Sequence, residues 1–280
     1  MGSGARRRMT EYADAGDTLV LSDVLEAAGS AGRRVALERV EDIDSTNAEL
    51  LRRAPAERQA VALLAEHQSG GRGRRGRDWH SPRGRNVYLS LGWRFAPARS
   101  DLVMLPLVVA VAAARALKSL GATDIGIKWP NDLWLDGCKV GGCLVETTSS
   151  AGGMDAVIGV GLNVGMTGDP GARNIERQWA DLRDQLPDLS RSRAAGALLA
   201  HLVRAAEAFS AAGFAGFAQD WVRMDVLRGR TVVIERDGAE LDGRALGLGA
   251  GGGLLVDGPD GPVECMAGEV RVHTVDGRPL

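Results

Sequence analysis

The most informative part of the sequence reads Glu66-His-Gln-Ser-Gly-Gly-Arg-Gly-Arg-Arg-Gly-Arg-Asp-Trp79. Its second half alternates glycine with arginine. Glycine lets backbone amides approach an anion closely, and arginine offers a planar guanidinium that pairs with phosphate or carboxylate oxygens. The pattern therefore predicts a loop that binds an anionic ligand. Taken alone, it is also typical of a solvated basic loop or of a patch that binds nucleic acid or directs nuclear import.

The glycines at positions 71, 73 and 76 formally satisfy the GxGxxG motif, but the surrounding sequence does not suit a dinucleotide-binding fold. That fold needs a helix directly after the glycines, whereas Pro82 and Gly84 follow here. The HRD and DFG motifs of protein kinases are missing, as is the GxxxxGK[ST] phosphate loop. Any nucleotide that binds is therefore not held by one of these loops.

Two further stretches predict a charged rim at the ends of neighbouring strands. Lys128-Trp-Pro-Asn-Asp132 ends a strand in a turn, and Lys139-Val-Gly-Gly142 opens the next predicted strand. Paired glycines weaken a strand, so they suggest that a ligand or another backbone comes close. Lys128, Lys139 and Asp132 would place two cations and one candidate metal ligand at this rim.

The periodicity on both sides of these stretches predicts an α+β domain over residues 35–228. Short strands separated by Gly/Asp turns then predict a small β-barrel over residues 229–280. The domain strands are predicted at 35–40, 60–65, 86–93, 125–129, 139–146 and 156–164, and its helices at 47–53, 102–118, 192–212 and 214–227. The barrel strands are predicted at 231–235, 243–248, 253–256, 262–266 and 269–274.

Residues 1–34 are too few for an independent domain, which needs about 40 residues, and we predict a dispensable leader with one short helix near 22–28. Asp44-Ser-Thr-Asn47 precedes the helix predicted at 47–53. Thr46 and Glu49 are predicted as the capping box of that helix. A helix cap explains these residues without a ligand.

Composition narrows the class of protein. The chain has 34 Lys+Arg and 36 Asp+Glu, a net charge of −2, so no global positive field attracts nucleic acid or an anionic membrane. Its 3 cysteines form no CxxC pair, which is typical of the reducing cytoplasm. The longest apolar run, 102–114, contains Pro106 and is shorter than the roughly 20 residues of a membrane span. Its 4 histidines lack zinc-site spacing, and no GxSxG elbow is present.

Together, the motifs at 44–47, 71–79, 128–132, 139–142 and 161–163 resemble, in this order, the biotin protein ligase family. The resemblance runs from about residue 35 to the end of the chain. It implies a mixed β-sheet catalytic domain backed by helices, followed by a small SH3-like barrel. Some members also carry an N-terminal winged helix that binds DNA. Residues 1–34 cannot hold one, so the resemblance implies the form without it.

The resemblance also implies roles for individual residues. Biotin-binding positions are Ser45, Thr46, Asn47, Gln68, Gly71, Arg72, Gly73, Arg74, Lys139 and Gly142. ATP-binding positions are Arg74, Arg75, Arg77, Trp79, Lys128, Asn131, Lys139 and Asn163, with the Trp79 ring stacked on adenine. Lys139, Arg74 and Arg72 would supply the catalytic charge, and Asp132 is the candidate ligand for Mg²⁺.

The implied reaction begins when the biotin carboxylate attacks the α-phosphate of ATP, and fixed positive charge must bring these two anions together. The product, biotinyl-5′-AMP, then loses AMP to a lysine of a biotin carboxyl-carrier domain of an acyl-CoA carboxylase. The Gly/Arg loop, residues 70–77, is expected to act as a lid that shields the adenylate from water. We expect a cytoplasmic monomer or homodimer that binds neither DNA nor membranes. The alternatives are a lipoate or octanoate ligase or transferase of related fold, and a nucleic-acid-binding module.

Overall fold

A computed structural model describes residues 17–95, 100–150, 153–175, 178–236, 239–259 and 261–272. The helices are α1 Leu21–Ala28, α2 Thr46–Arg52, α3 Pro55–Arg58, α4 Leu105–Ser119, α5 Leu182–Gln185, α6 Arg191–Ala212 and α7 Ala215–Met224. The first seven strands are β1 Ala36–Ile43, β2 Val61–Gln68, β3 Val87–Phe95, β4 Ile125–Lys128, β5 Asp132–Leu135, β6 Cys138–Ser150 and β7 Gly153–Leu162. The last five are β8 Thr231–Arg236, β9 Ala239–Leu248, β10 Leu254–Gly258, β11 Gly261–Cys265 and β12 Glu269–Val272.

The first seven strands form one mixed sheet in the order β1-β2-β3-β7-β6-β5-β4. Strands β1 and β2 are parallel, and every other neighbouring pair is antiparallel. Residues of β2 and β3 are buried on both faces, which explains why these strands are almost continuously apolar. The α+β class predicted from the sequence is therefore confirmed.

The apolar run predicted as a buried helix lies within α4, which packs against α6. Pro106 lies in the first turn of α4, where its missing N–H costs no helical hydrogen bond. Among the described residues, Ser100–Ser119 is long and apolar enough to cross a membrane, yet 61% of its apolar window is buried inside the protein. The helix is therefore part of the core.

The described part of the predicted leader, residues 17–34, packs on helix α6 and on strand β1 of the seven-stranded sheet. Helix α1 matches the helix predicted near 22–28 and contacts α6 through a face that includes buried Val24 and Ala28. Residues 1–16 of the predicted leader lie outside the described residues. The division of the chain into domains stays a prediction.

The last five strands form an antiparallel sheet in the order β11-β10-β9-β8-β12, as predicted for the C-terminal unit. The final predicted strand extends beyond Val272, and its last two residues lie outside the described part of the chain. The Trp129 indole Nε1–H donates to the Gly252 carbonyl oxygen across 3.1 Å, which ties this sheet to the turn after β4 of the seven-stranded sheet.

Three local predictions need correction. Strand β5 and the short helices α3 and α5 were not predicted, because their segments are only four residues long. Strand β6 continues beyond residue 146 to Ser150. Helix α2 is capped by Ser45, whose Oγ accepts from the Ala48 N–H, so the predicted cap at Thr46 is wrong.

Candidate active site

A cleft of about 990 Å³ opens where the end of β2, the β4–β5 turn, the start of β6 and the end of β7 meet. All of the residues that the sequence nominated as site residues line it. They are Ser45, Thr46, Asn47, Gln68, Gly71, Arg72, Gly73, Arg74, Arg75, Arg77, Trp79, Lys128, Asn131, Asp132, Lys139, Gly142 and Asn163. The structure thus brings these residues together, and their individual roles remain predictions.

One end of the cleft is built by the first turn of α2. The backbone N–H and the Oγ1 hydroxyl of Thr46 both donate to Gln68 Oε1, at 2.9 and 3.1 Å. The Gln68 amide in turn donates to Ser81 Oγ across 3.1 Å. Gln68 is the last residue of β2, so the strand end and the helix start hold each other in place. This end is polar and internally hydrogen-bonded.

Ser90, in the middle of β3, is a buried part of this polar end that the sequence did not reveal. Its hydroxyl lies 2.7 Å from Thr46 Oγ1 and 2.6 Å from Asn47 Oδ1. The Asn47 amide nitrogen donates to Glu146 Oε2 across 2.8 Å. Ser90 and Glu146 therefore fix the orientation of Thr46 and Asn47.

The rim predicted from the two lysine motifs is present. Lys139 Nζ donates to Asp132 Oδ1 across 2.7 Å, because β5 and β6 are neighbours in the sheet. The same ammonium lies 5.4 Å from the centroid of the Trp79 ring. The Lys128 ammonium lies 4.9 Å from the Trp134 ring centroid, and Lys128 is buried. The rim therefore carries fixed positive charge along one side of the cleft.

The Gly/Arg loop folds back on itself above this rim. The Gly73 N–H donates to the Arg77 carbonyl oxygen across 2.7 Å, and the Trp79 N–H donates to the Gly71 carbonyl oxygen across 2.9 Å. Arg75 lies in the left-handed region with a φ of 59°, which makes the sharp turn between these bonds. The loop thus has a defined shape even though several of its side chains are exposed.

The arginines of the loop have different environments. Arg72, Arg75 and Arg77 are exposed, and Arg77 also pairs with Glu269 of β12 across 3.1 Å. Arg74 is half-buried and donates from Nη1 to Asn131 Oδ1 across 3.3 Å. Burial lowers the pKa of Arg74 from its ordinary value. Arg74 is therefore the loop arginine most deeply inserted into the cleft.

Trp79 is the aromatic residue predicted to stack on adenine, and its indole lies against β7. A Cβ at Gly161 would stand 2.6 Å from Trp79 Cε2, so glycine is required for this approach. The Trp79 Nε1 atom is buried without a hydrogen-bond partner. The side chains of His80 and Trp179 also line the cleft, and neither residue was nominated from the sequence. Asn163 is buried, and its amide donates to the Ala180 carbonyl oxygen across 3.1 Å.

Asp132 is the nominated metal ligand. Among the described residues there is no cluster of three or more His, Cys, Asp or Glu side chains that could hold a metal ion. Mg²⁺ usually keeps several waters and binds through one or two carboxylates plus the phosphates of a substrate. Asp132, a single carboxylate beside a cationic rim, therefore suits an Mg²⁺ ion that arrives bound to a nucleotide. It does not suit a metal that is held by protein side chains alone.

Comparison with known proteins agrees with this geometry. Residues 38–163 match the biotin/lipoate A/B protein ligase family model. The chain is 36% identical over 241 residues to the bifunctional ligase/repressor BirA of Escherichia coli (strain K12), covering 84% of this chain and 73% of the relative. It is 33% identical over 233 residues to the biotin–[acetyl-CoA-carboxylase] ligase of Paracoccus denitrificans, covering 81% and 96%.

A solved structure extends the similarity to the fold. The biotin protein ligase of Aquifex aeolicus in complex with biotin and ATP superposes with a TM-score of 0.73 at 26% identity, covering 85% of this chain and 98% of that one. The relatives and the fold agree with the motifs at 71–79 and 128–132, whose residues meet in one cleft. The chain therefore belongs to the biotin protein ligase family of enzymes.

Proposed function

We propose that this enzyme forms biotinyl-5′-AMP from biotin and ATP and then transfers biotin to a lysine of a biotin carboxyl-carrier domain of an acyl-CoA carboxylase. The observation that carries the proposal is the junction, in one cleft, of the polar end at Thr46 and Gln68 with the cationic rim at Lys139. The names of the relatives support a carboxylase as the acceptor.

In this proposal biotin lies at the polar end. The ureido ring of biotin carries two N–H donors and one carbonyl acceptor, which lose hydrogen bonds to water on binding and need partners in the site. Ser45, Thr46, Asn47 and Gln68 supply hydroxyl and amide groups there. The held orientation of Thr46 and Asn47 reduces the entropic cost of binding.

The reacting groups then meet at the rim. The biotin carboxylate attacks the α-phosphate of ATP, an acyl–phosphate bond forms, and pyrophosphate leaves. Lys139 and Arg74 lie where negative charge accumulates, and their positions are fixed before the reaction by Asp132 and Asn131. Such preorganised charge is the usual source of acceleration for this type of transfer. Arg72 lies farther out on the loop and approaches when the loop closes.

In the second step the lysine amine of the carrier attacks the carbonyl carbon of the mixed anhydride, and AMP leaves. The Gly/Arg loop covers the adenylate and limits attack by water. Mg²⁺ bound with ATP would neutralise phosphate charge, with Asp132 as its protein ligand. The nucleotide itself lies between Trp79, Lys128, Asn131 and Asn163, with Arg75 and Arg77 at its outer edge.

The proposal includes a cytoplasmic enzyme, monomeric or homodimeric, that acts on a carrier protein and binds neither DNA nor membranes. A net charge of −2 supports the absence of non-specific DNA binding. No disulfide joins Cys138, Cys143 and Cys265, which all lie among the described residues, and this suits a reducing compartment.

Acyl-dependent exchange of labelled pyrophosphate into ATP tests the proposed first step. Biotin is expected to support exchange, whereas lipoate and octanoate at equal concentration are not. Exchange driven by lipoate or octanoate and not by biotin would favour the alternative lipoate or octanoate ligase of related fold.

Replacing Trp79 with alanine is expected to weaken ATP binding and leave biotin binding nearly unchanged. A stacked aromatic ring contributes roughly 1–3 kcal/mol per base. Calorimetric titration of each ligand measures the two affinities separately, and Trp179→Ala serves as the comparison because its ring lines the same cleft. Equal losses for ATP and biotin in Trp79→Ala would mean that Trp79 packs the site against Gly161 without stacking on the base.

Replacing Arg74 with glycine is expected to release the adenylate sooner. The change removes a guanidinium that reaches Asn131 and loosens a glycine-rich loop. A charge-assisted hydrogen bond contributes about 1.5–3 kcal/mol, and roughly 1.4 kcal/mol corresponds to a factor of ten in an equilibrium constant. Its loss would therefore weaken retention of the adenylate roughly ten- to a hundred-fold. Free adenylate acylates lysines indiscriminately, so added albumin should become biotinylated. Arg83→Gly is the matched control, because Arg83 is an exposed arginine that follows the loop and lies outside the cleft. Unchanged release and background labelling in Arg74→Gly would contradict the lid.

A further inference from the structure

The described residues 163–175 and 178–181, here named the cleft loop, lie between β7 and α5 and line the cleft. Its base is closed by the Leu182 N–H, which donates to the Asn163 carbonyl oxygen across 3.1 Å. Asp181 is fully buried and accepts from the N–H groups of Met166 and Thr167. The described loop residues that line the cleft are Asn163, Met166, Gly171, Asn174, Ile175, Gln178 and Trp179.

The far part of the cleft loop is held by a contact with His80. The imidazole Nε2 of His80 lies 2.7 Å from Asp169 Oδ2, and the Asp169 side chain is only 13% exposed. A Cβ at Gly171 would stand 2.5 Å from His80 Cε1, so the ring lies directly against the loop backbone. The pair joins residues 89 positions apart in the chain.

Both members of this pair are themselves fixed. Asp169 caps the short helical turn Pro170–Asn174 by accepting from the Ala172 N–H. The Arg85 guanidinium lies 3.9 Å from the other carboxylate oxygen of Asp169. On the other side, His80 stands between Trp79 and Ser81, and the Ser81 hydroxyl donates to the Trp79 carbonyl oxygen. A contact between surface side chains contributes little when both side chains must first be ordered, and here the surroundings already order Asp169.

We propose that His80 is a positioning residue for the nucleotide. By binding Asp169, His80 holds the cleft loop in place as the wall of the cleft on its nucleotide side. The inference rests on the proposed function, because it takes the side next to Trp79 and Asn163 as the nucleotide side. Biotin, at the Thr46 and Gln68 end, does not depend on this wall. Loss of the pair therefore weakens ATP binding and retention of the adenylate selectively.

The test compares His80→Ala, Asp169→Ala and the double variant in pyrophosphate exchange, with KM measured separately for ATP and biotin. Each single variant is expected to raise KM for ATP about tenfold, the loss expected for one hydrogen bond to a carboxylate, and to leave KM for biotin within about twofold. The double variant is expected to be no worse than either single one, because the two residues act as a unit. His80→Gln, whose amide N–H can reach Asp169, should restore most of the loss.

His201→Ala is the matched control, because His201 lies on α6, outside the cleft, and its Nδ1 lies 2.9 Å from the Ala197 carbonyl oxygen of its own helix. Hydrogen exchange of a peptide covering residues 163–175 adds a readout that needs no catalysis. Exchange there should accelerate in His80→Ala and not in His201→Ala. Additive effects in the double variant, equal changes in both KM values, or unchanged exchange would overturn the inference. A parent enzyme without biotin-dependent activity would refute the proposed function, and the hydrogen-exchange comparison would still decide on the pair.

Discussion

Replacing Lys139 with alanine is expected to slow formation of the adenylate several hundred-fold. The ammonium is held 2.7 Å from Asp132 Oδ1 and lies beside the Trp79 ring, so it is preorganised at the rim. Removal of one such charge costs on the order of 3–4 kcal/mol in the transition state, by analogy with donors that stabilise an oxyanion. The loss should appear in the chemical step, because biotin lies mainly at the other end of the cleft.

Single-turnover release of pyrophosphate from Mg-ATP and biotin measures this step. Lys118→Ala is the matched control, because Lys118 is an exposed lysine in the last turn of α4, outside the cleft. Biotin titration checks that Lys139→Ala remains folded. Near-normal pyrophosphate release by Lys139→Ala would refute the role assigned to the ammonium.

Replacing Glu66 with alanine is expected to destabilise the folded protein by about 3–5 kcal/mol, the cost of leaving a buried charge without its partner. Arg191 is 0% exposed, and its Nη1 donates to Glu66 Oε2 across 2.6 Å. The other Glu66 oxygen accepts from Arg39 at 2.9 Å and from the Leu19 N–H at 2.8 Å.

Urea unfolding followed by circular dichroism measures this loss. Glu207→Ala is the matched control, because Glu207 pairs with Arg34 at the surface, where side-chain exposures are 37% and 51%. An exposed pair contributes about 0.2–1 kcal/mol. A loss in Glu66→Ala as small as that in Glu207→Ala would contradict the importance of the buried pair.

The Glu66–Arg191 pair also makes the stability of the fold depend on pH at low pH. Burial by itself would raise the pKa of Glu66, but the Arg191 guanidinium, the Leu19 N–H and Arg39 together outweigh burial, and the pKa is lowered from its ordinary value of 4.5. Ionised Glu66 therefore stabilises the fold fully above about pH 4.5, and this contribution is lost as the pH falls toward the lowered pKa.

The hydrogen bonds around the buried Glu66–Arg191 pair also change the expectation that residues 1–30 are dispensable. Asp17 accepts from the Arg191 N–H and from Arg183, and Leu19 binds Glu66. Removal of residues 17–30 would break these contacts and expose the face of α6 that α1 covers. The described part of the predicted leader therefore contributes to stability.

The residues nominated from the sequence meet in one cleft, and they could be nominated because the chemistry of each motif lies within a few consecutive residues. Lys128, Asp132 and Lys139 lie at strand ends, and strand ends are readable from apolar runs and turns. Neighbouring strand ends share an edge of the sheet, so the lysines were expected at one rim. The α+β class followed from the same alternation of apolar segments.

The contacts between distant segments were not predictable in this way. Ser90 lies within the apolar strand β3, where a lone serine gives no sign that it binds Thr46 and Asn47. Glu66 and Arg191 are 125 residues apart, and His80 meets Asp169 only because the cleft loop returns over the cleft. Such pairs depend on tertiary packing, to which local periodicity does not respond.

The central claim is tested most directly by incubating the purified protein with biotin, Mg-ATP and a biotin carboxyl-carrier domain, then measuring the intact mass of the carrier. The account predicts the addition of one biotinyl group per carrier, on a single lysine identified by peptide fragmentation. A carrier with that lysine replaced by arginine should stay unmodified, as should one incubated without ATP. A carrier whose mass does not change, while a known biotin ligase modifies it in parallel, would contradict the account.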